Sequence, residues 1–566
     1  MDALELKLPI GIEDFEEIRT KGYYYIDKTG LIRELLQSGS KVTLFTRPRR
    51  FGKSLNMSML NYFFELEGNR EIFKGLEIME ETRLCKEYMG RFPVISLSLK
   101  DIEADSYKAA FAVAVMLINK EAGSHRYLLE SERLSRDEKQ AFSELLERKM
   151  EEPVLCGSLE LMSRLLEKHH QQKVVILIDE YDVPLAKAQL HGYYEKMIIL
   201  IRNLFQRALK TNNSLQFAVL TGCMRISRES IFTGLNNLSV LTIADVRMEE
   251  YFGFTDMEVR ELLDAYYLSD QYCVVKDWYD GYRFGNVEVY CPWDVINYCA
   301  LLRFDPHAVP ENYWANSSGN DAVRHFIKEA GNSATIRREI ENLIAGELVT
   351  REIHQEITYP DLYSSIDNIW SVLFTTGYLT QRGRGEGRSF QLAIPNLEVR
   401  EIFTTQIMDM FREDVKQDGG ALDALCRALQ DGDAQSVQRQ FGQYLKKTIS
   451  IRDTFARKNL KENFYHGMLL GLLGFKGSWI VSSNKEAGEG YADILAEIDD
   501  DEPMGIVIEI KYARDGNLEA ACQQALGQIE KRQYEAAFYD EDIEKVLKYG
   551  IACYKNKCKV IMAGDK

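Results

Sequence analysis

Two segments of this 566-residue chain carry residue types that can do chemistry on phosphate groups, and the first is a basic loop. It reads Arg47-Pro48-Arg49-Arg50-Phe51-Gly52-Lys53-Ser54. Compared with the phosphate-binding pattern GxxxxGK[ST], it keeps the last three positions and has Arg47 where the first glycine belongs. Backbone amides at a helix start can cradle phosphates, while Lys53 can reach the β- and γ-phosphates and Ser54 can hold Mg²⁺.

These residues predict a phosphate-binding loop. The expected contacts come from Arg47, Arg49, Arg50, Gly52, Lys53 and Ser54. The arginines add positive charge, although Arg47 can also crowd the loop. A basic strand-to-helix turn is the alternative, because patterns this short arise by chance.

An acidic pair ends the apolar run KVVILIDEYD, residues 173–182. Such a run is typical of a strand buried on both faces of a parallel sheet, and carboxylates at its end lie where α/β sheets place ligands. We expect Asp179 to hold Mg²⁺, directly or through water, and Glu180 to polarise the attacking water. A strand capped by solvated acids is the alternative.

A third apolar strand is predicted at residues 215–221. Its end would lie beside the phosphates, so Thr221 is expected to sense the γ-phosphate. Arg225 or Arg228 is a candidate arginine finger, acting within the chain or across a subunit boundary. A surface arginine is the alternative for each.

The second chemical segment is a pair of strands predicted at residues 490–497 and 504–512. Glu509 and Lys511 point the same way because side chains alternate along a strand, and burying them costs free energy unless they are paired or metal-bound. Asp493 and Glu509 are predicted to share Mg²⁺ or Mn²⁺ with the carbonyl of Ile510, with Glu462 as a further candidate ligand. Lys511 would orient or deprotonate water for attack on a phosphodiester. An exposed strand with a salt pair is the alternative.

The elements around these residues suggest an α/β protein of several domains. A strand at residues 42–45 enters the loop, and helical periodicity follows Gly52. Residues 330–450 suggest a helix, two short strands and another helix, an order that suits a winged helix but also many small α+β connectors. Around the second segment the order is helix–strand–strand–strand–helix–strand.

Composition limits the function classes. Lys and Arg number 70 against 87 Asp and Glu, so the net charge is −17 and a non-specific nucleic-acid coat is unlikely on charge grounds. The ten cysteines form no CxxC pair. No apolar run of the length needed for a membrane span occurs, and residues 1–10 lack a signal-peptide layout. We expect a cytoplasmic protein with reduced thiols and no membrane partner.

The first half resembles the AAA-ATPase-like family that is often fused to a PD-(D/E)XK nuclease domain. The segments that carry the resemblance are IGIEDFEEIRTKGYYYIDKTGLI, RPRRFGKS, LIDEYD, RISRESIFTGLNNL, EEYFGFTDMEV, WYDGYRFG, YCPWDVINY and YWANSSGN. The resemblance implies an ASCE-type core with a helical lid, ATP as the nucleotide, and arginine as usual at the position of Arg47. Asp179 and Glu180 then form the Walker B pair. Asp27 is left open between a structural cap and a nucleotide contact.

The last part of the chain resembles the PD-(D/E)XK nuclease superfamily. The matching segments are ENFYHG, EGYADI, IEIKY and QALGQI. Tyr491 departs from the commonest form, which has an arginine shortly before the aspartate. Residues 451–566 hold 16 Lys and Arg against 20 Asp and Glu, a formal charge of −4, so tight DNA binding by this part alone is not expected.

The sequence therefore predicts four regions. They are an AAA-ATPase-like domain at 1–245, a helical lid at 246–330, a connector at 331–450 and a nuclease-like domain at 451–566. The predicted function is ATP binding, with hydrolysis expected, coupled to metal-dependent cleavage of DNA or, as the lesser expectation, RNA, in a prokaryotic protein. A nucleotide-dependent switch whose last domain binds nucleic acid or protein without cleavage is the alternative. A homo-oligomer is left open.

Overall fold

The two chemical segments lie in different structural units of the computed structural model. It describes residues 7–147, 149–225, 231–232, 237–314, 321–417, 419–447, 458–474, 476, 478–487, 490–498, 503–541, 543 and 545–564. One unit comprises Met1–Ala322 with Thr350–Val399, and the other comprises Val323–Val349 with Arg400–Lys566. The first unit holds the basic loop, and the second holds the paired strands.

A five-stranded parallel sheet forms the centre of the first unit. Its strands are β1 (Val42–Thr46), β2 (Val94–Ser98), β3 (Val174–Asp179), β4 (Leu215–Gly222) and β5 (Leu238–Leu241). The spatial order is β2-β3-β4-β1-β5, so β4 separates β1 from β3. Every residue of β1 and β3 is buried, as continuous aliphatic runs in a sheet covered on both faces predict.

Helices connect these strands and cover the sheet. They are α1 (Phe15–Thr20), α2 (Gly30–Ser38), α3 (Lys53–Phe64), α4 (Thr82–Tyr88), α5 (Tyr107–Ser124), α6 (Arg136–Leu145), α7 (Glu152–His170), α8 (Val183–Leu190) and α9 (Tyr194–Phe205). Side chains of α5, α7 and α9 pack with the sheet in one apolar core. The helix α3 follows the basic loop directly, which confirms the predicted strand–loop–helix order.

A helical segment follows the sheet. It contains α10 (Asp256–Ala265), α11 (Tyr272–Tyr279), the hairpin β6 (Tyr282–Phe284) and β7 (Val287–Val289), and α12 (Pro292–Leu302). It has its own apolar core, which includes Val259, Leu262, Val295 and Tyr298. The helix α10 begins with a capping box between Thr255 and Glu258, which satisfies two orphan amides of its first turn.

The middle of the chain alternates helices with a small sheet. Its elements are α13 (Asp321–Asn332), α14 (Ala334–Ile344), β8 (Val349–Glu352), α15 (Ile366–Thr375), β9 (Thr380–Arg384), β10 (Ser389–Ala393) and α16 (Leu397–Gln417). The sheet order is β8-β10-β9. The expected helix, two strands and helix are thus present as α15 to α16, while a winged-helix assignment stays a prediction, as do the four domain boundaries.

A mixed five-stranded sheet forms the centre of the second unit. The elements there are α17 (Gly419–Gln430), α18 (Ala434–Lys447), α19 (Lys458–Leu473), β11 (Trp479–Ala487), β12 (Gly490–Ile498), β13 (Met504–Tyr512), α20 (Leu518–Arg532), β14 (Lys545–Tyr554) and β15 (Lys557–Met562). The strands follow one another in chain order across the sheet. Only the pair of β13 and β14 is parallel, and α20 makes that crossover. This arrangement confirms the predicted α/β class and the order helix–strand–strand–strand–helix–strand.

Among the helices that the structure describes, none combines the length and apolar character needed to cross a bilayer.

Candidate functional site

The basic loop turns sharply between β1 and α3. Arg50 has φ of 71° and Gly52, the N-cap of α3, has φ of 78°, both in the left-handed region. A Cβ added to Gly52 would meet nothing within 4 Å. The backbone conformation, and not lack of space, therefore calls for glycine here.

Lys53 is held inside the loop. Its side chain is 4 % exposed, and Nζ donates to the carbonyl oxygens of Pro48 at 3.0 Å and Arg47 at 3.3 Å. Burial lowers the pKa of Lys53, but nearby Cys223 and Glu180 raise it by more, so the net pKa lies above its ordinary value. The ammonium group therefore stays charged at neutral pH.

Ser54 and the acidic strand end meet at the loop. Ser54 Oγ donates to Asp179 Oδ2 at 2.6 Å, and Thr221 Oγ1 donates to Asp179 Oδ1. The backbone amide of Glu180 donates to Asp179 Oδ1 at 3.1 Å. A hydroxyl and a carboxylate in contact form an all-oxygen donor pair of the kind that Mg²⁺ prefers. The structure thus brings together the three residues predicted to serve the phosphates and the metal.

Glu180 sits in the left-handed region with φ of 52° and lines the cavity beside the loop. Burial raises the pKa of its carboxyl above the ordinary value, and the charge of Lys53 opposes this rise. A carboxylate with a raised pKa is a better proton acceptor, which suits the predicted role of polarising water.

A cavity of about 620 Å³ lies beside the loop. Its lining includes Arg49 through Asn56 and Glu180. It also includes the apolar and aromatic side chains Tyr24, Ile26, Phe254, Leu262, Trp293 and Ile296. A concave site lined by apolar and aromatic side chains with a few charged groups is typical of a small-molecule site.

Arg49 and Arg50 both line this cavity. Arg49 is exposed; burial of its inner part lowers its pKa, but Cys223 and Glu180 raise it by more. Arg50 Nη1 donates to Tyr313 O at 2.5 Å, and its guanidinium lies 4.4 Å from the centroid of the Trp293 ring. Both arginines are therefore placed to contact an anion in the cavity.

Arg47 lies elsewhere, which departs from the predicted phosphate contact. Its side chain is fully buried, Nη1 donates to the carbonyls of Thr46 at 3.0 Å and Leu241 at 2.8 Å, and the guanidinium packs on Phe252 and Phe284. It is absent from the described residues that line the cavity. The long side chain leaves the loop and joins β1 to β5 through the Leu241 carbonyl, so in this structure it does not face the cavity.

Two further candidates also have structural partners. Arg225 forms an ion pair with Glu356, and it is absent from the described cavity lining, so the structure does not direct it at the phosphates. Arg228 falls outside the described residues. Asp27 accepts from the amide of Thr29 at 2.8 Å and from the amide of Glu77 at 2.7 Å, which makes it a structural cap.

Sequence reasoning missed Asp182 as part of this site. Its Oδ2 accepts from the amides of Cys223 and Met224, each at 3.0 Å, at the end of β4. Tyr359 also donates to it, at 3.4 Å. The signal available in the sequence was an acid three residues after Asp179.

The second site lies where β12 and β13 separate. Their pairing ends at Ile494 opposite Ile508, and beyond that point Asp493 Oδ2 accepts from the amide of Ile510 at 2.8 Å. This contact fixes Asp493 beside the segment that carries Glu509 and Lys511, as the sequence predicted.

Glu509 and Lys511 form a buried pair. Lys511 Nζ lies 2.7 Å from Glu509 Oε1, and Glu509 is 1 % exposed. Burial, with the charge of Asp493, raises the pKa of Glu509 to about 7. Glu509 Oε2 is buried without a hydrogen-bond partner among the described residues. A buried acceptor of this kind fits a metal ligand, because a cation would satisfy it.

Glu462 lies at the edge of this site. Its Oε1 accepts from the amide of Tyr512 at 3.4 Å. Burial lowers the pKa of Lys511, but Glu509, Asp493 and, least of the three, Glu462 raise it by more. In the described part of the chain, no three His, Cys, Asp or Glu side chains form a ready metal cluster. The predicted ligand set of Asp493, Glu509, the Ile510 carbonyl and Glu462 therefore stays a prediction.

His466 of α19 contacts the backbone of Asp493. Its Nε2 lies 2.8 Å from the Asp493 carbonyl oxygen and 3.0 Å from Ser483 Oγ. The structure shows that this histidine joins α19 to β11 and β12 next to the aspartate.

Comparisons with known proteins give a match for the region around each site. A family model described as a predicted AAA-ATPase matches residues 9–232, and a model of the PD-(D/E)XK nuclease superfamily matches residues 460–563. The chain is also similar to an uncharacterised protein encoded in the vnfD 5′ region of Azotobacter chroococcum mcd 1. The two are 28 % identical over 402 residues, which covers 70 % of this chain and 68 % of the relative.

Proposed function

Because the chain contains an AAA-ATPase-like domain and a PD-(D/E)XK nuclease superfamily domain, we propose that it binds and hydrolyses ATP and cleaves nucleic acid. DNA is the proposed substrate, and the proposed location is the cytoplasm. The observation that carries the nuclease proposal is the buried Glu509 with an unsatisfied Oε2, held between Asp493 and Lys511.

In the first unit, the loop amides and Lys53 would take the phosphates of ATP. Ser54 and Asp179 would hold Mg²⁺, which supplies charge neutralisation on the β- and γ-phosphates. Glu180 would orient a water and accept its proton. Thr221, which donates a hydrogen bond to Asp179, would sense the γ-phosphate. Arg50 and Arg49 would bind phosphate oxygens from the loop side.

In the second unit, Asp493 and Glu509 would hold Mg²⁺ or Mn²⁺ with the Ile510 carbonyl. The metal supplies Lewis-acid stabilisation of the charge that develops on the phosphate. Lys511 would orient the water that attacks the phosphodiester in line. Its contact with Glu509 keeps the ammonium group close to that position.

A second candidate function is a nucleotide-dependent switch without cleavage. It is favoured by one observation, the hydrogen bonds from Lys53 to the carbonyls of Arg47 and Pro48. A loop that satisfies its own lysine must give up these bonds when phosphates bind. Slow turnover and a nucleotide-controlled partner contact would follow from such a loop.

The test of the nuclease is a cleavage assay on supercoiled, linear and single-stranded DNA and on RNA, with Mg²⁺ or Mn²⁺, with and without ATP. Glu509→Gln is expected to lose cleavage by at least about a hundredfold and to keep nucleotide binding. Glu519→Gln, an exposed glutamate on α20, is the matched control and should cleave normally. Metal-dependent cleavage that persists in Glu509→Gln would contradict the assignment of this site. Cleavage of RNA alone would mean that RNA, and not DNA, is the substrate.

A further inference from the structure

A buried pair of carboxyl groups lies beside the loop arginine Arg50 in the first unit. Asp294, in the first turn of α12, and Glu398, in the first turn of α16, are both 0 % exposed. The two carboxyls lie close enough for each to shift the pKa of the other. Burial raises the pKa of both carboxyls, and Asp294 raises that of Glu398 further. Two ionised carboxylates in contact would repel, so one of the two holds a proton.

The hydrogen-bond partners of the pair agree with this reading. Glu398 Oε1 accepts from the amide of Trp314 at 2.8 Å. Glu398 Oε2 and both oxygens of Asp294 have no N–H or O–H donor in hydrogen-bond geometry among the described residues. Buried polar oxygens are nearly always satisfied. The Cys291 thiol beside Asp294 and the Tyr313 amide beside Glu398 do not reach hydrogen-bond geometry with these three oxygens, and a shared proton supplies a donor.

Arg50 is the cation next to this pair. Burial lowers the pKa of its guanidinium below the ordinary value, and Cys291, Asp294 and Glu398 act in the opposite direction. The same two chain segments touch both the arginine and the acids. Trp293 stacks on Arg50 and precedes Asp294, while Tyr313 O accepts from Arg50 and Trp314 N donates to Glu398.

The other titratable groups that face the pair are uncharged at neutral pH. They are the thiol of Cys291 and the phenols of Tyr279, Tyr282 and Tyr313. Burial raises the pKa of each of them. The local charge balance is therefore set by Arg50 and the two acids.

We propose that Asp294 and Glu398 share one proton and act as a single negative charge that holds Arg50 in place at the cavity. Asp294 and Glu398 are then positioning residues that act through Arg50. The effect on nucleotide binding rests on the proposed function, whereas the shared proton does not depend on it.

The shared proton is tested by infrared spectroscopy on the full chain. At about pH 8, where an ordinary carboxyl is ionised, the wild-type minus Glu398→Gln spectrum is expected to show the C=O stretch of a protonated carboxyl. Glu195→Gln, an exposed glutamate, is the matched control and should remove only carboxylate bands. Titration of the same band in the wild-type protein needs no variant. Absence of a protonated carboxyl band in both measurements overturns the proposal.

The positioning role is tested by the affinity for a fluorescent ATP analogue. Arg50→Met is expected to weaken binding about tenfold in the wild-type background, and by less than about threefold in the Asp294→Asn/Glu398→Gln background, where no charge holds the arginine. Glu398→Gln alone keeps one negative charge and should bind within about threefold of wild type. Equal losses in both backgrounds overturn the positioning role. A wild-type protein that binds no nucleotide would refute the proposed function and leave the infrared result standing.

Discussion

Ser54 Oγ and Asp179 Oδ2 lie 2.6 Å apart although 125 residues separate them in the chain. The first turn of α3 brings one partner and the end of β3 brings the other, on either side of β4. The parallel sheet places both at its carboxyl edge, where the helix dipole and the carboxylate have opposite effects on an anion. A Mg²⁺ ion between them would neutralise the carboxylate, and its positive charge would favour phosphate binding at this site.

Ser54→Ala should therefore weaken nucleotide binding mainly when Mg²⁺ is present. The expected loss is about tenfold, the value of one hydrogen bond or ligand to a charged group. Titration of a fluorescent ATP analogue with Mg²⁺ and with a chelator measures the difference. Ser58→Ala removes a hydroxyl one turn farther along α3, where it accepts from the amide of Phe15, and is the control. An equal loss in Ser58→Ala would contradict the assignment.

Glu180→Gln should separate binding from turnover. The amide fills the same space but cannot accept a proton, so phosphate release from ATP is expected to fall by about a hundredfold or more. Nucleotide affinity should stay within about threefold, because the loop and Ser54 are unchanged. Glu195→Gln, an exposed glutamate in the first turn of α9, is the control. Turnover that is unchanged in Glu180→Gln would favour a role for this carboxylate outside the chemistry.

Gly52→Ala tests the backbone demand of the loop. Alanine has free space at this position but is strained at φ of 78°. The cost of about 1–2 kcal/mol falls on the loop conformation, so nucleotide affinity should drop about tenfold or more. Gly123→Ala, an exposed helical position in α5, also has free space and should stabilise or leave the melting temperature unchanged. A Gly52→Ala protein that binds as wild type would mean that the loop can adopt another conformation.

The strands that position both sites could be predicted because their signal is local. The aliphatic run that ends in Asp179 and the run that contains Glu509 each match a strand with correct bounds to within a few residues. The loop was found from three adjacent residues, Gly52, Lys53 and Ser54. In each case the residues that form the sequence pattern are the same residues that form the strand or the loop.

The contacts that were missed join distant parts of the chain. Arg47 turns away from the loop because the Leu241 carbonyl, 194 residues later, accepts its hydrogen bond. Arg225 pairs with Glu356, 131 residues away. Glu398 and Asp294 lie on different helices and shift each other's pKa. No spacing or periodicity in the sequence marks these pairs, because tertiary packing alone brings them together.

Asp256→Asn should destabilise the segment of α10 to α12 in a pH-dependent way. Burial raises the pKa of Asp256, but hydrogen bonds from Arg260, Tyr272 and Tyr290 lower it by more, so the net pKa is well below its ordinary value. Because the folded pKa is below the unfolded one, the stabilisation is present at neutral pH and lost as the pH falls through and below about 4.

The carboxylate is 40 % exposed, so the expected cost of Asp256→Asn at neutral pH is only about 1 kcal/mol. Amide hydrogen exchange in α10 and α11 measures it. The difference from wild type should stay nearly constant from neutral pH down to about 5 and shrink as the pH is lowered below about 4. Asp270→Asn, an exposed acid in the turn between these helices, is the control. A difference that stays constant below about pH 4 would show that the hydrogen-bonding shape of Asp256, and not its charge, stabilises the segment.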